Sequence, residues 1–334
     1  MAIHGAAPYV EGVAIPENLA SAVIRGDRSA LARAITLVES QRPADRAAAE
    51  ALLAELLPHS GSATRIGITG APGVGKSTLI ERLGTMLCEA GRKVAVLAVD
   101  PSSTVTGGSI LGDKTRMDGL SRDPRAFIRP TPGGGTLGGV ASRTQEAMLA
   151  CEAAGYDVVL VETIGTGQSE VAVHGMVDFF LVLLSPAAGD ELQGIKRGVM
   201  ELADGVLIHK ADGDLLAAAN RTAQQCMLAM RVLHSGEQEP PPVVVGSSET
   251  GDGIEELWRA TEARLDAGRQ RGDVKARRRR QAVAWLDRTV RDALLDEFLD
   301  APDVAAALER ARERVAAGEV VPTSAARDLL RRAR

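Results

Sequence analysis

Short apolar runs rich in β-branched residues alternate with segments of helical periodicity through the middle of the chain, from about residue 61 to residue 262. Most of these runs are apolar at consecutive positions, which is typical of strands buried on both faces of a parallel sheet. The predicted strands are 65–69, 93–99, 126–129, 157–161, 179–184, 205–208 and 243–245. The predicted helices between them are 77–90, 140–154, 191–203 and 214–233. The alternation predicts an α/β domain with a doubly wound, mostly parallel sheet flanked by helices.

The segment before this domain has a helical pattern from about residue 15 to residue 60. Leu31, Ile35 and Val38 recur at helical spacing, and Asp27 is a suitable residue to start a helix. We therefore expect a helical extension over residues 1–60.

The segment after the domain is charged and also helical. Its first helix carries an apolar stripe made of Val283, Leu286, Val290 and Leu294. A stripe of this kind requires a partner surface, and we expect that surface to be a helix of a second subunit. The pattern predicts a domain over 61–262 and a C-terminal helical dimerisation arm over 263–334.

The charge and the aromatic content of the chain argue against one class of function, the binding of nucleic acid. The 334 residues include 39 Lys and Arg against 44 Asp and Glu, which makes the net charge −5, and only 2% of residues are aromatic. An acidic chain with few aromatic residues is not suited to bulk binding of nucleic acid. The basic run Arg277–Arg280 is therefore interpreted as one polar turn of an amphipathic helix.

The cysteines and the apolar runs indicate in which cellular compartment the protein is expected. Cys88, Cys151 and Cys226 are far apart, without a metal-binding spacing, which suits a reducing cytosol. No secretory signal is visible, and no run reaches the roughly 18 apolar residues of a membrane span. We expect a cytoplasmic protein without a membrane segment.

The strongest motif follows the first predicted strand of the domain. It consists of Gly70, Ala71, Pro72, Gly73, Val74, Gly75, Lys76 and Ser77, followed by Thr78. This matches the phosphate-binding P-loop, in which glycines let backbone N–H groups face the phosphates at a helix N-terminus. Lys76 is expected to reach the β and γ phosphates, and the Ser77 hydroxyl to bind Mg²⁺.

A P-loop also requires acidic residues from neighbouring strand ends. Asp100 and Glu162 each follow a predicted strand, and Asp113 lies in a glycine-rich segment. Gly165 stands three residues after Glu162, the spacing at which GTPases sense the γ-phosphate. The motif leaves open whether each acid binds the metal, supports a ligand or positions water.

Two later strand ends resemble a guanine-binding site. His209, Lys210 and Asp212 follow the strand 205–208, with His209 where Asn is usual. One carboxylate can accept both the N1–H and the N2–H₂ of guanine, a donor pair that adenine lacks. Ser247 follows the strand 243–245 and matches the last loop around the guanine base.

These residues resemble the G-proteins associated with methylmalonyl-CoA mutase, the MeaB/ArgK family. The matching segments are 26–39, 70–77, 96–103, 106–117, 127–130, 135–139, 161–169 and 189–196. The resemblance implies a P-loop GTPase that works as a homodimer and a chaperone. Its partner is an adenosylcobalamin-dependent acyl-CoA mutase, whose cofactor loading, protection or reactivation is gated by GTP.

The resemblance also assigns roles to residues. It places Lys76 and Ser77 on phosphate and Mg²⁺, and the three acids around the metal and the attacking water. Gln193 and Lys196 lie in the loop expected to carry the nucleotide state to the partner. The adenosylcobalamin is expected on the mutase, since the DxHxxG pattern of cobalamin binders is absent here.

Alternatives remain open at this stage. A P-loop kinase does not require the Lys210 and Asp212 pair, and a metallochaperone GTPase generally carries Cys or His metal sites. A regulated scaffold without turnover is a further alternative. Methylmalonyl-CoA mutase is the default partner, with isobutyryl-, 2-hydroxyisobutyryl- and ethylmalonyl-CoA mutases as alternatives. Arg116, Arg129 and Arg143 are available as arginine fingers, but none is obviously placed for that role.

Overall fold

The structure is a computed structural model. It describes residues 9–10, 13–14, 18–40, 42–99, 117–131, 137–163, 169–186, 197–236 and 239–332.

The described residues form a main sheet of seven parallel strands. They are β3 (Thr64–Gly70), β4 (Val94–Val99), β5 (Ala126–Thr131), β6 (Val158–Thr163), β7 (Phe179–Leu184), β8 (Gly205–Ile208) and β9 (Val243–Val245). Their order across the sheet is β5-β4-β6-β3-β7-β8-β9, and every neighbouring pair is parallel. A separate antiparallel pair joins β1 (Tyr9–Val10) to β2 (Val13–Ala14). The predicted doubly wound parallel sheet is confirmed, with β3 at its centre.

Helices lie between the strands and at both ends of the chain. They are α1 (Leu19–Ile24), α2 (Arg28–Val38), α3 (Pro43–Leu56), α4 (Lys76–Glu89), α5 (Asp118–Arg122), α6 (Leu137–Ala153), α7 (Ser169–His174), α8 (Arg197–Glu201), α9 (Leu216–Leu233), α10 (Ile254–Arg271), α11 (Asp273–Asp300), α12 (Pro302–Ala316) and α13 (Pro322–Arg332). Short 3₁₀ helices occupy Leu57–His59 and Gly213–Leu215. None of the helices in the described ranges is both long and apolar enough to cross a membrane.

Apolar clusters cover both faces of the sheet, as strands buried on both sides require. Leu160 of β6 packs in the cluster that contains Leu79 of α4. The next residue, Val161, points to the opposite face and packs in the cluster that contains Leu31 of α2. This alternation follows from the two-residue period of a strand. The N-terminal helices therefore belong to the packing of one sheet face.

Contacts divide the chain into two compact units, residues 1–279 and 280–334. The three-part division at residues 60 and 262 stays a prediction about organisation. Within the second unit, the predicted stripe is exposed on α11, with 48–62% of the surface of each residue accessible. Its members are Val283, Leu286, Val290 and Leu294.

Two arginines of the predicted polar turn form ion pairs with carboxylates that are distant in sequence. Arg278 Nη2 lies 2.6 Å from Asp178 Oδ2, and Arg277 Nη1 lies 2.8 Å from Asp204 Oδ2. Arg278 also donates to the carbonyl of Gly61. These partners lie 73 to 217 residues earlier in the chain, so no local pattern revealed them. These two arginines bind the start of α11 to the residues that precede β3, β7 and β8.

Candidate nucleotide-binding site

The P-loop lies between the central strand β3 and helix α4. Strand β3 ends at Gly70 and the helix begins at Lys76. Gly75 caps the helix with a φ of 102°, in the left-handed region that favours glycine. A Cβ at position 75 would also lie 2.5 Å from Cε1 of His209. Gly75 is therefore required both by the turn and by the imidazole packed against it.

Lys76 lies inside the loop. Its Nζ donates to the carbonyl of Gly70 at 2.8 Å and to that of Ala71 at 3.2 Å. The side chain is buried, and burial lowers the pKa of Lys76, while Glu162 and Glu170 oppose that shift. The ammonium group is thus held at the loop that would surround the phosphates.

Ser77 and Glu162 meet at the carboxyl edge of the sheet. Ser77 Oγ donates to Glu162 Oε1 at 2.9 Å. Glu162 lies within β6, in register with Ile68 of β3, and does not follow the strand as expected from sequence. The hydrogen-bonding ladder continues past the apolar run, which sequence periodicity cannot reveal. A hydroxyl and a carboxylate together are hard oxygen donors of the kind that Mg²⁺ prefers.

Glu170 was not singled out by the sequence. It lies in the first turn of α7, is buried, and acts electrostatically on Lys76. Acidic residues are common at helix starts because they interact favourably with the helix dipole. Nothing in the sequence therefore distinguishes Glu170 from an ordinary acidic residue in a first helical turn. Among the described residues, both Glu162 and Glu170 therefore contribute negative charge near Lys76.

His209 connects the segment after β8 and the loop after β9 to the P-loop. Its Nδ1 lies 2.8 Å from the carbonyl oxygen of Val74, and its Nε2 lies 2.7 Å from Ser248 Oγ. Burial lowers the pKa of His209, and Lys210 adds to that shift, while the Val74 bond and Asp212 oppose it. Sequence reasoning named Val74 and His209 but missed Ser248, which stands beside the predicted Ser247.

Lys210 and Asp212 extend the same connection. Lys210 Nζ donates to the carbonyl of Gly73 at 2.7 Å, and Lys210 itself adopts a φ of 59°. Ser247 Oγ donates to Asp212 Oδ2. The structure therefore brings together four segments that the sequence keeps apart: the P-loop, Glu162, residues 209–212 and residues 247–248.

Several predicted residues lie outside the described part of the chain. They are Asp100, Asp113, Gly165, Gln193 and Lys196. Their assigned roles stay predictions. Among the described residues, no group of three or more His, Cys, Asp or Glu side chains is arranged to hold a metal ion.

Arg129, one of the arginines considered as a finger, has a local partner. Its Nη2 lies 2.5 Å from Glu39 Oε2 and donates to Thr36 at 3.2 Å. Burial raises the pKa of Glu39, and the bond to Arg129 opposes that shift. Arg129 thus ties β5 to the end of α2.

A P-loop at the carboxyl end of the central strand of a parallel, helix-flanked sheet defines the class of P-loop nucleoside triphosphatases. The family profile described as "Methylmalonyl Co-A mutase-associated GTPase MeaB" matches residues 31–303. The chain belongs to this MeaB family of GTPases.

Individual relatives agree with the family. A probable GTPase of Mycobacterium bovis is 53% identical over 315 residues, which cover 94% of each chain. The mitochondrial methylmalonic aciduria type A homolog of Mus musculus is 44% identical, over 95% of this chain and 79% of its own. The GTPase ArgK of Escherichia coli is 46% identical, over 82% and 83%.

A solved structure agrees as well. The crystal structure titled LAO/AO transport system kinase superposes with a TM-score of 0.74 and 36% identity. The match covers 95% of this chain and 98% of that one. The fold and the family are therefore established by independent comparisons.

Proposed function

We propose that this chain binds GTP with Mg²⁺ and hydrolyses it to GDP and phosphate. The observation that carries the proposal is the junction of two loops. Lys210 donates a hydrogen bond to the carbonyl of Gly73 in the P-loop, and Asp212 accepts one from Ser247. A carboxylate able to accept the guanine donor pair thus stands two residues after the lysine that contacts the proposed phosphate loop.

The P-loop and the acidic residues near it supply the groups proposed to bind the phosphates and Mg²⁺. Backbone N–H groups of the loop bind the phosphates, and Lys76 exchanges its two carbonyl partners for phosphate oxygens. Ser77 and Glu162 would hold Mg²⁺, which would neutralise charge on the phosphate oxygens. We propose that Asp100 and Asp113 complete this set, and that Gly165 senses the γ-phosphate.

We propose further that the GTPase is a chaperone for an adenosylcobalamin-dependent acyl-CoA mutase, by default methylmalonyl-CoA mutase. Family membership and the aciduria-related name of the mouse relative support this role. GTP turnover would gate cofactor loading, protection or reactivation, with the cobalamin on the mutase. Gln193 and Lys196 are proposed to carry the nucleotide state to that partner in the cytoplasm.

The second subunit is proposed to cover the apolar stripe of α11. Four large apolar side chains at helical spacing are about half exposed there, so burying the exposed part of each would contribute less than the roughly 1.5–3 kcal/mol of full burial. We propose that this burial, summed over both subunits, offsets the free-energy cost of association.

The test is steady-state GTP hydrolysis by the purified protein with Mg²⁺, alone and with the mutase. We expect slow turnover alone, stimulation by the mutase, little activity with ATP, and loss of activity in Lys76→Ala. Lys275→Ala, an exposed lysine of α11, is the matched control and should retain activity.

The outcomes separate the alternatives. Stimulated, guanine-dependent turnover supports the chaperone GTPase. Transfer of phosphate from ATP to an added acceptor, without guanine preference, would replace it with a kinase. GTP turnover that is stimulated by a metal-accepting apoenzyme but not by the mutase would favour a metallochaperone.

A further inference from the structure

The imidazole of His209 joins three segments that are distant in sequence. It follows β8, it touches the P-loop at Val74, and it touches the loop after β9 at Ser248. The contacts span 135 and 39 residues of chain. Only 2% of the residue is exposed, so the ring is a buried connector between these segments.

The bonding pattern fixes the protonation of the ring. A carbonyl oxygen can only accept, so Nδ1 must carry the hydrogen that it donates to Val74. In the neutral ring Nε2 is then an acceptor, and it accepts from Ser248 Oγ at 2.7 Å and from the Ser248 backbone N–H at 3.3 Å. Each ring nitrogen is used by the protein. A direct contact from His209 to a purine base would have to break one of these bonds.

Packing reinforces the connection. The ring lies so close to Gly75 that no side chain fits there. The next residue, Lys210, bonds the carbonyl of Gly73 at 2.7 Å, one position before Val74. Consecutive residues of one loop thus hold consecutive carbonyls of another. Such paired bonds fix both the distance and the rotation between the two loops.

We infer that the His209–Ser248 pair is a positioning device. It sets the spacing between the P-loop and the guanine side of the site, which consists of the loops at 209–212 and 247–248. The inference rests on the proposed binding of guanine nucleotides and adds how one ligand engages both loops. A nucleoside diphosphate gains from both loops only if they stand at the correct separation. Its affinity then exceeds what either end provides, as in any bivalent ligand.

This role makes a specific prediction about ligand fragments. Loosening the connection should lower the affinity for a ligand that contacts both the P-loop and the guanine side. It should leave unchanged the affinity for a ligand that occupies only the P-loop. A residue that merely stabilises the fold would weaken both ligands together. GDP and inorganic pyrophosphate are the two probes, each measured by displacement of a fluorescent GDP analogue.

The variants separate the contact of His209 with Val74 from its contact with Ser248. His209→Ala removes all bonds of the ring, and we expect the Kd for GDP to rise about tenfold. Ser248→Ala removes one hydroxyl, and we expect a rise of about threefold. His209→Asn retains an amide donor for Val74 but is too short to reach Ser248, so it should match Ser248→Ala. The His209→Ala/Ser248→Ala double variant should bind GDP no more weakly than His209→Ala, since the Ser248 hydroxyl acts through its bond to the His209 ring.

Two further readouts distinguish positioning from folding. The Kd for pyrophosphate should change less than about twofold in every variant, and kcat at saturating GTP should be retained while KM rises. His234→Ala replaces another partly buried histidine, at the end of α9, and should leave all values unchanged.

Each remaining outcome has a definite meaning. Parallel loss of GDP and pyrophosphate affinity in Ser248→Ala, or wild-type GDP affinity in His209→Ala, would overturn the inference while the guanine preference of the wild-type protein stands. Wild-type protein that binds ADP as tightly as GDP would overturn the proposed function, and the inference with it.

Discussion

Replacing Arg278 with Ala should destabilise the protein strongly, although the residue lies in a run of four arginines that resembles a solvated surface. Arg278 binds Asp178 through two bonds, Nε to Oδ1 at 2.7 Å and Nη2 to Oδ2 at 2.6 Å. It also donates to the carbonyls of Gly61 and Ala63. The Asp178 side chain is fully buried, and Arg278 is 20% exposed.

The magnitude follows from the charge that the substitution leaves behind. Removing one partner of a buried ion pair costs about 3–5 kcal/mol, because the other charge stays buried without compensation. Partial access of water to Arg278 favours the lower end of that range, about 3 kcal/mol. At about 2–4 °C per kcal/mol for a large domain, Tm should fall by about 6–12 °C.

Thermal and urea unfolding are the assays, and the neighbouring Arg279→Ala is the matched control because Arg279 is exposed. Adding Asp178→Asn to Arg278→Ala should restore part of the loss, since the buried charge is then gone. If Arg278→Ala unfolds within about 1 °C of Arg279→Ala, the ion pair does not stabilise the fold and the reasoning is refuted.

Three further predictions concern the site and the arm. Glu162→Gln retains an acceptor for Ser77 but not the charge, so about tenfold more Mg²⁺ should be required for half-maximal GTP hydrolysis; an unchanged Mg²⁺ titration would contradict this. Burial lowers the pKa of His209 from its ordinary value of 6.5, so the folded protein resists a proton that the unfolded chain accepts. Unfolding free energy should therefore fall as the pH drops below about 6.5, and His209→Ala should show less of this dependence; an identical pH profile would contradict it. Val290→Asp places a charge in the α11 stripe and should convert the proposed dimer to a monomer in sedimentation analysis, whereas a wild-type mass would exclude the stripe as the interface.

The strands were predictable because their signal is local. Most of the seven runs are apolar at consecutive positions, and the sheet contains a strand at each of the seven. The cap of α2 was equally local, since the Asp27 side chain accepts from the Ala30 N–H at 2.9 Å. Elements fixed by neighbours in sequence can be predicted from sequence.

The contacts that build the site were less predictable, because they depend on register between distant strands. Glu162 reaches Ser77 only because β6 lies beside β3. His209 was assigned to the base by its motif, but the fold directs its ring between two loops. The motif singled out His209, whereas the hydrogen-bonding partners of its ring required the structure.

Isothermal titration of the wild-type protein with GDP and ADP, each with Mg²⁺, tests the central claim most directly. The claim is that the P-loop and the loops at 209–212 and 247–248 form one site for a guanine nucleotide. A site built to accept the guanine donor pair should bind GDP at least about a hundredfold more tightly than ADP. Equal affinities for the two nucleotides would contradict the account.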